Sequence, residues 1–580
     1  MIAAHNDVSG AGELSYVRDT VAKNFLEELR FNKQKIMPLT TSNSILGKKN
    51  AKHLLRRACF HYSKEILDAV SIMTPLEAIS FLENHQPNIW TEPYDPLPAD
   101  DPHGYWISSD YLPNTIPNQA RKRSLVAGWW WYNMINRNSV RDKITFFLHT
   151  TFTTSKDDGT GASTYYFDHL KLLEFYSSGS LKDLSKKITL DNAMLLYLDN
   201  TTNNADNPNE NYAREFLELF TIGKGEQVGD GDYTNYTEGD VQQAARVFSG
   251  FKTQLDRSII DSDTNIPMGR TNTNQHDSGD KQFSYAFSNN VINGSGTSSG
   301  MFHEIDQLVD MIFNQEATAI NYVKKIYRFF VKSEWSQETE DTVINDLAQE
   351  LISSNFQISP VIKTLLTSTH FYDLNDENSN DEIIGSIVKN PLQLMSEMVS
   401  IFNIDIPNPN SNINGFYRFW HLFNHNNFLP MAGMGIYAPD TVAGYPANYQ
   451  SPNFDRQWFS SNTLLARYRL IECLISGRNR LATNGLIGTD LDSVNFVELI
   501  SSNPGDLYSL VSEIAELLYP NNIDYDRISY FVQLILSGYP SYYWYDSWIE
   551  YLNSNDDTII RNRLNTLIIS MANAAENQLM

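Results

Sequence analysis

Apolar positions along the chain recur at helical spacing. In the stretch NAKHLLRRACFHYSKEILDAVSIMTPLEAISFLENH, Leu54, Leu55, Cys59, Phe60, Ile66, Leu67 and Val70 fall on one face of a 3.6-residue repeat. Ser63 is placed to cap the second helix of this run, with Ile66 in its first turn. Thr74, Pro75 and Glu77 then read as N-cap, N1 proline and reciprocal N3 carboxylate. The run predicts short helices joined by tight turns.

Residues 86–118 are rich in Pro, Asp and Tyr and predict a long ordered surface loop. Helical signals return from Ala120 through Phe152, then over Tyr166 to Tyr176, Leu181 to Lys187, Asp191 to Leu198 and Pro208 to Phe220. Thr237 and Asp240 form a capping-box variant for DVQQAARVF, which stops at Gly250. Amphipathic helices resume at FHEIDQLVDMIFN and continue through TAINYVKKIYRFFVK, DTVINDLAQELISS and SPVIKTLLTSTHFY. Strand-type alternation is rare, so the predicted fold is all-α or nearly so. It is a large, multi-helix, bundle-like body with long aromatic and polar loops. The pattern divides the chain into an N-terminal helical arm (1–50), a helical core (51–252) and a polar insertion or lid (253–300). A helical continuation (301–390) and a C-terminal helical region with an aromatic loop (391–580) follow.

Composition adds constraints. With 31 Tyr, 30 Phe and 10 Trp in 580 residues, too much apolar area is present for the chain to remain unfolded in water. Lys+Arg 44 against Asp+Glu 69 gives a net charge of -25, which repels phosphate backbones and excludes nucleic acid as a partner. The most apolar run, LVAGWWWYNMI, is too short to span a bilayer, so no membrane span is expected. Cys59 and Cys473 are read as small buried hydrophobes rather than as a metal or disulfide framework. The first 20 residues carry no basic region followed by an apolar one, so no signal peptide is visible in this numbering. An exported setting, periplasmic or extracellular, is suggested only by the acidic, Asn- and Ser-rich composition.

The most informative blocks are FLHTTFTT, LLYLDNTTNNADNPNENYAREFLELFTIG and YTEGDVQQAARVFSGF, followed by QHDSGDKQF, MGIYAPDTVAGYP and WFSSNTLLARY. With the early HLLRRACF, they resemble the domain-of-unknown-function-1800 family, uncharacterised bacterial proteins whose members are often exported. The resemblance implies a helical domain and supplies no established activity.

In DNPNENYAREFLELF, Asn207, Pro208 and Glu210 fit N-cap, N1 and N3. Arg214 stands four residues from both Glu210 and Glu218, which makes an ion-pair stripe beside an apolar face. On a functional reading, Asn211, Glu215 and Glu218 share a face that, with an outside His, suits a cation or polar substrate. His149 opens a Thr-rich loop after ITFFL, and His276 with Asp277 lies in an otherwise flexible segment. If the Asn-rich loop folds over the helix start, Asp199, Asn200, Asn209 and Glu210 define one polar pocket there, to be completed by the two imidazoles. No HExxH, paired CxxC, Gly-x-Ser-x-Gly, Walker or dinucleotide motif is present, and the DGDYTNYTEGD stretch lacks the EF-hand order. Three consecutive Trp, 129 to 131, must point in different directions on a helix, at least one into the core.

Two functions follow. The first is a metal-assisted hydrolase or transferase acting on a polar envelope or extracellular substrate. Here His149, Glu215, His276 and Asp277 hold zinc, iron or manganese, Glu210 or Glu218 is the base, and Arg214 orients a carboxylate. The second is a non-enzymatic scaffold or binding module for a protein or polysaccharide partner. A shared ligand point for His149, His276 and Glu215 favours the first, and Arg214 neutralising Glu210 and Glu218 in a sealed interior favours the second.

Overall fold

Side chains that terminate helices are the first feature the sequence imposes. In the computed structural model, Ser63 accepts from Ile66 N at 3.3 Å, and Thr74 with Glu77 closes a full capping box. Thr237 and Asp240 close a second box, as their spacing predicts. The structure describes residues 39–580 apart from 85, 97–103, 110–111, 158–160, 375–381, 425–426 and 482–484. The predicted N-terminal arm, 1–50, thus lies mostly outside the described residues.

Helix accounts for 57% of the chain, so the fold is mostly helical. It is not strictly all-α. Two small antiparallel sheets form, Phe251–Lys252 with Arg270–Thr271 and Lys281–Gln282 with Val291–Ile292, both around the polar segment 253–300. This segment is anchored to the helices. Arg257 binds Asp168 through two 2.7 Å hydrogen bonds, and Gly269 N donates to Leu190 O at 2.7 Å.

One hydrophobic cluster runs from Leu46 to Ala574. The Gly47–Ala58 helix brings distant parts of the chain together. It buries Lys52, Arg56 and Arg57, whose heads donate to Glu516 O, Leu518 O and Met580 O. Their aliphatic stems add apolar area while the charged ends find carbonyls, which explains basic residues on an inward face.

The Gln119–Ile135 helix is enclosed, and all three of its consecutive Trp are buried. Successive side chains turn by about 100° on a helix. Trp129 therefore meets Phe167, Trp130 meets Phe146 and Trp131 stacks on Trp420, with ring centroids at 4.7, 5.7 and 5.4 Å. The run serves packing on three sides. Cys59 and Cys473 are free and buried. Among the described residues no helix is long and apolar enough to cross a membrane.

Candidate functional site

The NENYARE segment starts one turn-step later than its spacing predicts. Asn209, not Asn207, caps the Glu210–Glu215 helix by accepting from Asn211 N at 3.0 Å. Asn207 is instead held in a tight turn by Asn204 Oδ1 at 3.1 Å. The Asn-rich loop does fold back over the helix start, since Asn209 donates to Asp199 O and Asn211 to Leu198 O. The helix then widens into a π-turn, Phe216–Phe220, that buries Phe216, Leu217 and Phe220.

The charged residues of this motif have taken partners. Arg214 pairs with Glu210 at 3.1 Å and with Glu238, a residue the sequence reading did not connect to it. Glu218 pairs with Lys224 at 2.6 Å rather than with Arg214. The side chains of Glu210, Arg214 and Glu238 are each about one-third exposed, so this is a surface network and not a sealed one. Burial, then the neighbouring Glu218, raises the Glu215 carboxyl above its usual range.

The four predicted metal ligands do not converge. Among the described residues no three His, Cys, Asp or Glu side chains are grouped to hold a metal ion. Asp277 is clamped by Arg246, with Oδ2 accepting from Nε at 2.7 Å. His276 lies between Ser249 O at 2.8 Å and Glu304 Oε1 at 3.1 Å, so both ring nitrogens are occupied. Glu304, fully buried, also accepts from Lys281 Nζ at 2.5 Å and Ser295 N at 2.7 Å.

His149 opens onto no cleft. It sits in the last turn of the Val140–Thr151 helix, sealed in the core, and donates from Nε2 to Thr154 O at 3.2 Å. Burial, then His169, pulls its imidazole down to about 3. Its ring lies 4.8 Å from Tyr437 and 6.2 Å from His169. His149 Nδ1 and His169 Nε2 are buried without a hydrogen-bond partner. His169 has no local signal in the sequence, because a histidine in an otherwise apolar helix reads as core.

A cleft opens elsewhere, with a cavity volume of about 130 Å³. The Val140–Thr151 helix lines it with Lys143, Phe147 and Thr150, and the Glu316–Phe330 helix lines it with Lys325, Arg328 and Phe329. The aromatic loop adds Asn448, Tyr449, Asp455 and Trp458, and Asn390 comes from between them in sequence. Tyr449 is 40% exposed at the rim, whereas Trp458 is buried.

Three cations line this cleft, and among its described lining residues Asp455 is the one acidic side chain. Asp455 already accepts from Ser333 Oγ and, at 2.7 Å, from Val388 N. Lys325 donates to Leu219 O, and Lys143 to Gln393 Oε1 at 2.5 Å and Cys59 O at 3.3 Å. The Arg328 guanidinium lies over Phe454 and Trp335, 4.7 and 5.2 Å from the ring centroids, and its Nε has no hydrogen-bond partner. Among the described residues none of these three cations is in an ion pair. Burial lowers Lys143 to about 7, and burial together with Arg328 lowers Lys325 to about 7. The sequence hint was the basic series in YVKKIYRFF, which reads as a solvated face.

No curated protein and no solved structure matches the chain. A family model described as "Protein of unknown function (DUF1800)" matches residues 53–569, a span that holds the His276–Glu304 cluster, the buried histidines and nearly all of the cleft lining. The chain therefore belongs to the DUF1800 family.

Proposed function

We propose that the protein is a non-enzymatic binding module whose cleft takes a saccharide ligand. One observation carries this reading. The cleft joins aromatic faces, Tyr449, Trp458 and Phe329, to amide and hydroxyl groups of Asn390, Asn448 and Thr150. Sugars present both an apolar C–H face and rings of hydroxyls, so a mixed lining of this kind matches them. Glu210 and Glu218, named as candidate bases, and Asp277, named as a metal ligand, are meanwhile engaged in ion pairs.

The test is affinity electrophoresis and calorimetry against a panel of soluble polysaccharides, comparing wild type with Tyr449→Ala. Retention by at least one polymer that weakens in the variant supports the reading. A folded wild type retained by none of them overturns it.

A second reading, a metal-assisted hydrolase or transferase, is favoured by the two unpartnered imidazole nitrogens. His169 donates from Nδ1 to Asp191, and His149 from Nε2 to a carbonyl, the outer arrangement that orients metal-ligating histidines. Elemental analysis of protein purified without chelator tests it. Near-stoichiometric zinc, iron or manganese that is lost in a folded His149→Ala, His169→Ala variant would establish that site.

A further inference from the structure

Arg328 gives the cleft a chemistry that a neutral sugar does not use. Its guanidinium is held by two aromatic faces, and ring contact of this kind leaves the N–H edges unspent. The residue is half-buried, and its buried Nε finds no acceptor in the protein. Lys325, on the same helix and close enough for Arg328 to help lower its affinity for a proton, spends its ammonium on one carbonyl.

Two cations that share a half-buried wall without an ion-pair partner repel one another and lose hydration, which is costly unless an anion compensates. The rest of the protein makes the placement more selective. A chain with a net charge of -25 repels anions over its surface, so an anion is attracted only where cations are gathered and screened from that field. Asp455, the acidic side chain in the lining, forms no ion pair with either cation, and its oxygens accept from Ser333 Oγ and Val388 N.

From this geometry we infer that the cleft binds an oxyanion, the carboxylate or sulfate group of an acidic saccharide, with Arg328 as its forked donor and Lys325 as the second cation. The inference rests on the saccharide reading for the body of the ligand and on Arg328 and Lys325 for its charge. Lys143, a buried lining residue held by Gln393, adds positive potential to the cleft.

The experiment measures binding at one fixed ionic strength to polygalacturonate, to a neutral polysaccharide and to inorganic sulfate, with chloride as the control. The proteins are wild type, Arg328→Gln and Lys325→Met, each checked by circular dichroism. The expected result is preference for polygalacturonate over the neutral polymer, stabilisation by sulfate, and loss of about tenfold or more in affinity for both anions in Arg328→Gln. Lys325→Met removes a buried ammonium and is expected to remain folded, so it keeps the test open should Arg328→Gln unfold.

Sulfate binding that depends on Arg328, without any polymer binding, upholds the oxyanion site and overturns the saccharide reading. Equal binding of neutral and acidic polymers, unchanged in both variants, upholds the saccharide reading and overturns the oxyanion site. A wild type that binds neither sulfate nor polygalacturonate also overturns the oxyanion site.

Discussion

His169 donates its Nδ1–H to Asp191 Oδ2 at 3.0 Å, with both side chains buried. The same oxygen accepts from Met194 N at 2.8 Å and so caps the Asn192–Tyr197 helix. One carboxylate oxygen thus ends a solvent-free donor and begins a helix. Asp191→Ala removes both roles and is expected to destabilise the protein by about 2–4 kcal/mol, summing a lost cap and an orphaned buried donor. Asp191→Asn keeps an acceptor for Met194 and loses only the charge, so its loss should be smaller. Urea unfolding of the two variants checks this, and equal losses would show that the cap contributes nothing.

Gly250 ends the Thr237-capped helix in the left-handed region, at φ +78. A Cβ there would stand 2.7 Å from Asn272 O and 2.9 Å from His276 Cβ. Gly250→Ala therefore combines backbone strain with a backbone clash, for an expected loss of about 2 kcal/mol or more. Thermal unfolding tests it, and a loss below 0.5 kcal/mol, the ordinary range for a surface change, would mean that the 272–276 turn moves aside freely.

Glu304 is the hub of a buried cluster with Lys281, His276 and Ser295 N. Glu304→Gln leaves the Lys281 ammonium without its counter-charge and is expected to cost about 3–5 kcal/mol. The double variant Glu304→Leu, Lys281→Met removes both charges and should recover most of that loss. Additive losses in the double variant would argue that the pair has no coupling.

Lys325 predicts a pH dependence. Burial and Arg328 hold its ammonium at about 7 in the folded chain, against 10.5 for an ordinary lysine. Between those values the unfolded chain binds a proton that the folded chain has released, so stability rises with pH across that window. Below pH 7 both states are charged and the penalty is fully present. Lys325→Met should therefore melt above wild type at pH 6, and this advantage should shrink towards pH 10. A constant difference would place the native ammonium in water.

Much of the helical pattern was legible because its causes are local. Ser63, Thr74 with Glu77, and Thr237 with Asp240 act within three residues, and Gly250 ends its helix where its spacing says. The Asn207 cap differs for an equally local reason, since Asn204 holds the Asn207 backbone in a turn and Asn209, two residues on, caps the helix. The four candidate metal ligands are not grouped among the described residues, because the partners of each side chain lie far along the chain. Asp277 is taken by Arg246, and His276 by Ser249 and Glu304.

Legible from chain order alone were a mostly helical protein, the positions of many helix starts, the burial of at least one Trp of the run and of both cysteines, and the membership of its family. These follow from periodicity, short-range hydrogen bonds and recurring motifs. Which charges remain unpaired emerges from the packing of segments far apart in the chain. Arg328 reads as an ordinary basic residue on a helix face, and becomes a candidate anion donor only when residues from 143 to 580 close a cleft around it. The physical reason is that pairing and desolvation are properties of spatial neighbours, which chain order does not supply.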